Sequence, residues 1–230
     1  MKIATFNVEN LDYSSSDRNP PLEQRAPILK AQLERLDADI ICFQEVHGQE
    51  LPDHTSDNPR RALSALEDIL KNTKYARYSY VSTLNADNIP FNERNLVILS
   101  SFPIQKSRQY RNELIQKLQY RKVTAIPSED DAKNIIWERP ILHAEIKISD
   151  NSILHVINVH LKSRLSSNIE GQKKDRYTWR SASGWAEGYF LSSVKRVGQA
   201  LEVRVLLDKI FDDDPEARIE IGRASCRERV

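Results

Sequence analysis

The chain has 230 residues, enough to bury one large α/β core or two small ones. Its 40% hydrophobic and 29% charged content is ordinary for a globular protein, and a formal net charge of +1 excludes a dedicated nucleic-acid coat while leaving room for a local basic groove. No apolar run is long enough to cross a bilayer, and the opening "MKIATFNVENL" lacks the order of a signal peptide, so the chain reads as cytoplasmic with no membrane segment.

In chain order, "KIATFNV" is a short strand with apolar alternation at Ile3 and Phe6. "PLEQRAPILKAQLERL" spaces Leu22, Ile28, Leu29, Leu33 and Leu36 as a helix begun after the turn residues "DRNPP". "DIICFQ" is the continuous apolar run that a sheet buried on both faces requires. "RRALSALEDILKN" predicts a second helix, and "YARYSYVS" and "RNLVILSSFPI" predict strands. "PILHAEIKI" and "NSILHVINVHL", joined by "SDN", read as a hairpin. A basic loop over 162–184 follows, containing Tyr177 and Trp179, which either tracks a phosphate backbone and stacks a base or is a solvated surface loop. Phe190, Val194, Val197, Leu201, Val205 and Ile210 then repeat at helical spacing, and "FDDDPEARI" turns into a last strand. Alternating helices and strands early, with a strand hairpin later, predict a mixed sheet in a single α/β domain without repeats.

Of two cysteines, Cys42 lies in an apolar run and reads as a small buried side chain. Cys42 and Cys226 match no metal or redox motif. The candidate chemistry lies instead where strands end, since α/β proteins place their sites at the carboxyl ends of buried strands. "FNVEN" offers Asn7, "CFQEV" offers Gln44 and Glu45, and "INVHLKS" offers Asn158 and His160. A carboxylate there suits Mg²⁺, which prefers oxygen and often takes only one or two protein ligands. A nearby histidine handles a proton. Singly, each has an ordinary reading as a turn residue, a solvated acid or a satisfied histidine.

Their order along the chain is more informative. "KIATFNVENL", "ADIICFQEV", "ERNLVILSSFPI", "ERPILHAEI" and "INVHLKS" together resemble the endonuclease/exonuclease/phosphatase superfamily, which includes deoxyribonucleases, abasic-site endonucleases, sphingomyelinases and inositol-polyphosphate phosphatases. The resemblance covers residues 1–219. It implies a four-layer α/β sandwich, with two mixed sheets packed face to face between helices, incomplete here at the C-terminus. It implies a Mg²⁺-dependent (or Mn²⁺-dependent) phosphoesterase in which Asn7 and Glu45 serve the metal and His160 acts at the scissile phosphate. Glu93 orients His160 or forms a surface ion pair, Arg139 lies near the phosphate or is a rim charge, and Asn158 supports His160 at the phosphate. His47 and His54 match nothing in the family and read as loop residues.

Two further motifs of that family, Gly-Asp-x-Asn and Ser-Asp-His, do not occur in the chain. Where the first is expected, after "ARI", stands "GRASCRERV". The bases ATCGGAAGAGCGTCGTGTAGGGAAAGAGTG encode residues 221–230 and are part of a common short-read sequencing adapter, whose preceding AG supplies the end of the Glu220 codon. Residues 220–230 therefore read as translated adapter. Three arginines and one glutamate leave with 221–230, turning +1 into −1 and leaving Cys42 as the single cysteine. A genuine basic tail is the alternative. The expected substrate is a phosphate ester, foremost nucleic acid, with no protein partner evident, and the chain as written is expected to be inactive. A lipid or inositol phosphatase, a sphingomyelinase-like hydrolase and a non-catalytic binding protein of the same fold remain alternatives.

Overall fold

The computed structural model describes residues 1–14, 20–175 and 177–224; the end of the expected adapter segment, 225–230, and Arg176 of the basic loop lie outside them. In chain order the elements are β1 (Ile3–Leu11), α1 (Leu22–Leu36), β2 (Ile40–Val46), β3 (Gln49–Glu50), β4 (Arg61–Ala62), α2 (Ser64–Leu70), a 3-10 turn (Lys74–Arg77), β5 (Ser79–Ser82), β6 (Asn95–Ser100), β7 (Ile104–Tyr110), β8 (Gln119–Tyr120), β9 (Lys133–Asn134), β10 (Ile141–Ser149), β11 (Ser152–His160), α3 (Ala182–Asp213) and β12 (Arg218–Ala224). They divide into two compact units, one formed by Met1–Gln109, Ile141–His160 and Glu216–Ala224, the other by Tyr110–Pro140 and Leu161–Pro215.

The first unit holds two four-stranded mixed sheets, ordered β1-β2-β6-β5 and β12-β11-β10-β7. Side chains alternate across each strand, and this sets two cores. Ile41 and Phe43 of β2 face Leu33 of α1 and Leu66 and Ile69 of α2. Ile40 and Cys42, with Leu96 and Ile98 of β6, face Leu142, Ala144, Leu154 and Val156 of the second sheet. A strand with apolar neighbours on both sides must be apolar throughout, which accounts for "DIICFQ". The "SDN" turn closes β10 onto β11 through a two-residue loop, with Ser149 opposite Ser152. β7 was not legible as a strand because its middle, Gln105 to Arg108, is exposed and polar, as an edge strand permits.

β12 continues in parallel register with β11 through 221–224, placing Ile221 beside Ile157 and Gly222 beside Asn158. A Cβ on Gly222, within the segment expected to be adapter, would lie 2.3 Å from that of Cys42. Burial pushes the Cys42 thiol up to about 12, making it a packing group with no nucleophilic use.

In the second unit α3 carries the loops and is the helix that the spacing predicts. Of the six residues at helical spacing Ile210 is buried and Val194 and Val205 are partly buried, while Phe190, Val197 and Leu201 are 48%, 65% and 52% exposed, as are Trp185 and Tyr189 in large part. The buried face is Gly184, Glu187, Gly188, Leu191, Ser192, Gly198, Gln199, Glu202, Val203, Leu206 and Ile210. Small residues let the packed segments come close: a Cβ on Gly198 would meet the Trp137 ring at 2.8 Å. The glutamates capture loop backbone. Glu202 accepts from the amides of Asn112, Glu113 and Leu114 and from the Trp137 indole at 2.7 Å. Glu187 accepts from the amides of Val123 and Thr124, the Thr124 hydroxyl and the Tyr120 hydroxyl. No helix among the described residues is long and apolar enough to cross a membrane.

Candidate active site

Along the facing sheets of the first unit, alternation carries apolar residues into polar ones toward the ends of the parallel strands. On β1 the series is Ile3, Thr5, Asn7; on β2 it is Ile40, Cys42, Gln44; on β11 it is Leu154, Val156, Asn158, His160. The interior therefore becomes polar at one end, where β1, β2 and β11 finish.

Two register breaks meet there. Between β1 and β2, Asn7 opposes Gln44 but Leu11 opposes Val46, so β1 spends four residues where β2 spends two. Between β2 and β6, Phe43 opposes Val97 but Val46 opposes Asn95, which places an extra residue in β2. Glu9, Asn10 and Glu45 take left-handed backbone, with φ of 50°, 51° and 65°. Such bulges re-aim side chains, and non-glycine residues adopt this conformation only when their surroundings hold them there. By alternation from Phe43 the Glu45 side chain would turn toward the helices. The bulge turns it instead among Asn7, Asn10 and His160.

Glu45 Oε1 accepts from Asn7 Nδ2 at 3.0 Å and lies 3.4 Å from His160 Nε2, and its Oε2 accepts from the Asn10 amide at 3.2 Å. Asn7 Oδ1 accepts from the Glu9 amide at 2.8 Å, which settles which end of the Asn7 side chain faces Glu45. Glu45 is 8% exposed and His160 fully buried. Asn95 secures the far side of the bulge by donating to the Val46 carbonyl at 3.0 Å.

Three of the six residues to which the family resemblance gave a role, Asn7, Glu45 and His160, thus meet. Asn158 is close by in the chain but fully buried, and both its amide hydrogens go to carbonyls of the other sheet, Phe43 at 2.8 Å and Val97 at 2.9 Å. Its Oδ1 accepts from Gln44 at 2.7 Å. It ties the sheets together and has no N–H left for a phosphate, contrary to expectation. Glu93 is an exposed turn residue whose charge acts on His47. Arg139 belongs to the second unit, where its carbonyl accepts from Gln199 at 3.0 Å.

Sequence reading missed Asn10 and His47. Nothing flags Asn10 except its place three residues after Asn7, because its contribution is a backbone N–H. His47, expected as a plain loop residue, follows β2 directly and sits with Nε2 3.3 Å from Asn10 Oδ1 and Nδ1 3.7 Å from Asp12 Oδ2. Burial holds its imidazole below the ordinary histidine range, with Asp12 and Glu93 acting the other way.

As a cation site this donor set is oxygen-based, centred on one buried carboxyl group. Among the described residues no three His, Cys, Asp or Glu side chains cluster to hold a metal.

No family model and no curated protein matches the chain. Among solved structures, it is similar to an endonuclease/exonuclease/phosphatase family protein of Bacteroides thetaiotaomicron, with TM-score 0.52 at 16% identity over 96% of this chain and 62% of that one. It is also similar to a mannosyl-6-phosphatase of the same organism, with TM-score 0.50 at 15% identity over 95% of this chain and 62% of that one. The chain spans less than two thirds of either protein. The likeness is one of fold: this is the mixed α/β sandwich of endonuclease/exonuclease/phosphatase proteins.

Proposed function

We propose that the chain is part of a Mg²⁺-dependent phosphoesterase, foremost a nuclease or phosphodiesterase, whose site is the Asn7–Glu45–His160 cluster. The supporting observation is that the polar ends of three strands, far apart in sequence, converge on one carboxyl group. Glu45 would hold the cation, with Mn²⁺ as a substitute. When bound, the cation polarises a phosphoryl oxygen and offsets charge on the leaving oxygen. The rest follows from the chain's own groups. Asn7 and the Asn10 amide fix the Glu45 carboxyl group in one orientation, so no reorganisation is needed when charge develops. His160, packed beside it, would hold a proton at Nε2 and deliver it to a phosphoryl oxygen.

In this reading Gly-Asp-x-Asn and Ser-Asp-His motifs, which do not occur in this sequence, would supply the water-activating base. The test has two parts. Mn²⁺ titration of this chain should show one site that Glu45→Gln removes. The locus should then be resequenced through the Ile219 codon, and its product assayed on DNA, RNA, phospholipid and sugar phosphate with Mg²⁺ and with chelator. Metal-dependent hydrolysis by a product containing both motifs supports the proposal. A genomic stop after "GRASCRERV", or a product without the motifs, leaves a binding protein in its place.

A further inference from the structure

The strained bulge at the end of β1 is held from outside the sheet by one side chain. Arg25 lies in the first turns of α1 and is half-buried. Its Nη2 donates to the carbonyls of Val8 and Glu9, the latter at 2.8 Å, and its Nη1 donates to the carbonyl of Asn10 at 3.3 Å. Three consecutive carbonyls thus converge on one guanidinium. They belong to the residues that depart from the ladder, so no strand partner satisfies them in register. On the same stretch the amides point the other way, the Asn10 amide to Glu45 Oε2 and the Glu9 amide to Asn7 Oδ1. The peptide planes are therefore pinned on one side by Arg25, and on the other side they present N–H groups to the site.

We infer that Arg25 is a positioning residue, which fixes the Asn7–Asn10 turn around Glu45 and so sets how tightly Glu45 takes a divalent cation. The planar fork is essential to this role. It offers several N–H donors in a fixed geometry, whereas a lysine ammonium is a point charge on a flexible stem. Glu9 and Asn10 are both left-handed without being glycine, and such a turn relaxes when its carbonyls lose their partner. Loss of an outer partner of a metal ligand typically weakens metal affinity about 10- to 100-fold.

The consequence for the cation rests on the proposed function; the positioning role itself does not. Two readouts separate them. The first is amide hydrogen exchange in the full chain: Arg25→Met should raise exchange of the Asn10 and Glu9 amides by at least about tenfold, with β2 and α1 still protected. The second is Mn²⁺ titration, in which Arg25→Met should bind about 10- to 100-fold more weakly than wild type and Arg25→Lys should recover only part of the loss. Leu29→Ala, on the same helix but packed into the outer core, controls for general destabilisation and should leave both readouts unchanged. Unchanged exchange at Asn10 in a folded Arg25→Met overturns the inference. So does an equal response from Leu29→Ala. If wild type and Glu45→Gln both bind no Mn²⁺, the metal-site reading fails, and the exchange experiment still decides the positioning role.

Discussion

Among the described residues three glutamates are buried, and two different kinds of donor surround them. In the second unit Glu187 and Glu202 project from α3 and are met largely by backbone amides of irregular loops. In the first unit Glu45 ends a strand and is met by Asn7, by one amide and by His160. Backbone amides cannot be exchanged without unfolding the loop that supplies them, so the α3 glutamates are structural. The partners of Glu45 are instead mainly side chains from other strands, which orient its carboxyl group where three strands finish. Burial of a glutamate therefore says little, and the kind of donor around it says much.

The sharpest test of that contrast is Glu202→Ala. It strands three loop amides, that of Asn112 buried, and the buried Trp137 indole, and should cost about 3–5 kcal/mol in denaturant unfolding. A loss under about 1 kcal/mol would mean that water substitutes for the carboxyl group and that the contrast is false.

The comparison also depends on pH, through the first unit. His143 Nε2 lies 3.0 Å from His155 Nδ1 with ring centroids 5.2 Å apart, so the rings meet edge to edge through a shared hydrogen bond. Burial and His155 lower the His143 imidazole to about 4. Because this value is depressed below that of the unfolded chain, the contribution is present above roughly pH 6.5 and is lost as pH falls toward 4. It amounts to at most about 3 kcal/mol. Equilibrium unfolding at a series of pH values should show this slope, and His143→Leu should flatten it. An unchanged slope would place the acid sensitivity elsewhere.

Smaller effects refine the picture. Tyr120→Phe removes one of four donors to Glu187 and should cost about 1 kcal/mol, read from the thermal midpoint. Smallest in stability is Glu45→Gln, expected within about 1 kcal/mol of wild type because its side-chain shape is kept, although cation binding should be abolished. Were Glu45→Gln as damaging as Glu202→Ala, Glu45 would join the structural group.

Much of the first unit was legible in sequence because period-two patterns and apolar runs report directly on which faces are buried. β1, β2, the β10–β11 hairpin, α1 and α2 all follow from such patterns, and so does the location of polar residues at strand ends. The meeting of Asn7, Glu45 and His160 was foreseeable from the order of motifs. How they meet was not, since it rests on two register slips that no local propensity encodes. Asn158 looked like a site residue, but facing sheets claim its hydrogens. Arg25 looked like any helix cation until the bulge turned three carbonyls toward it. The helix α3 was legible in its apolar spacing, but its buried face also takes in glycines that admit close approach and glutamates that satisfy loop amides, terms that hydrophobic periodicity does not count. The sequence by itself determined the strand-and-helix order and the chemistry available at the strand ends. Only the tertiary structure decided which buried polar groups are held by backbone and which remain able to take a ligand, because hydrogen-bond partners distant in sequence make that choice.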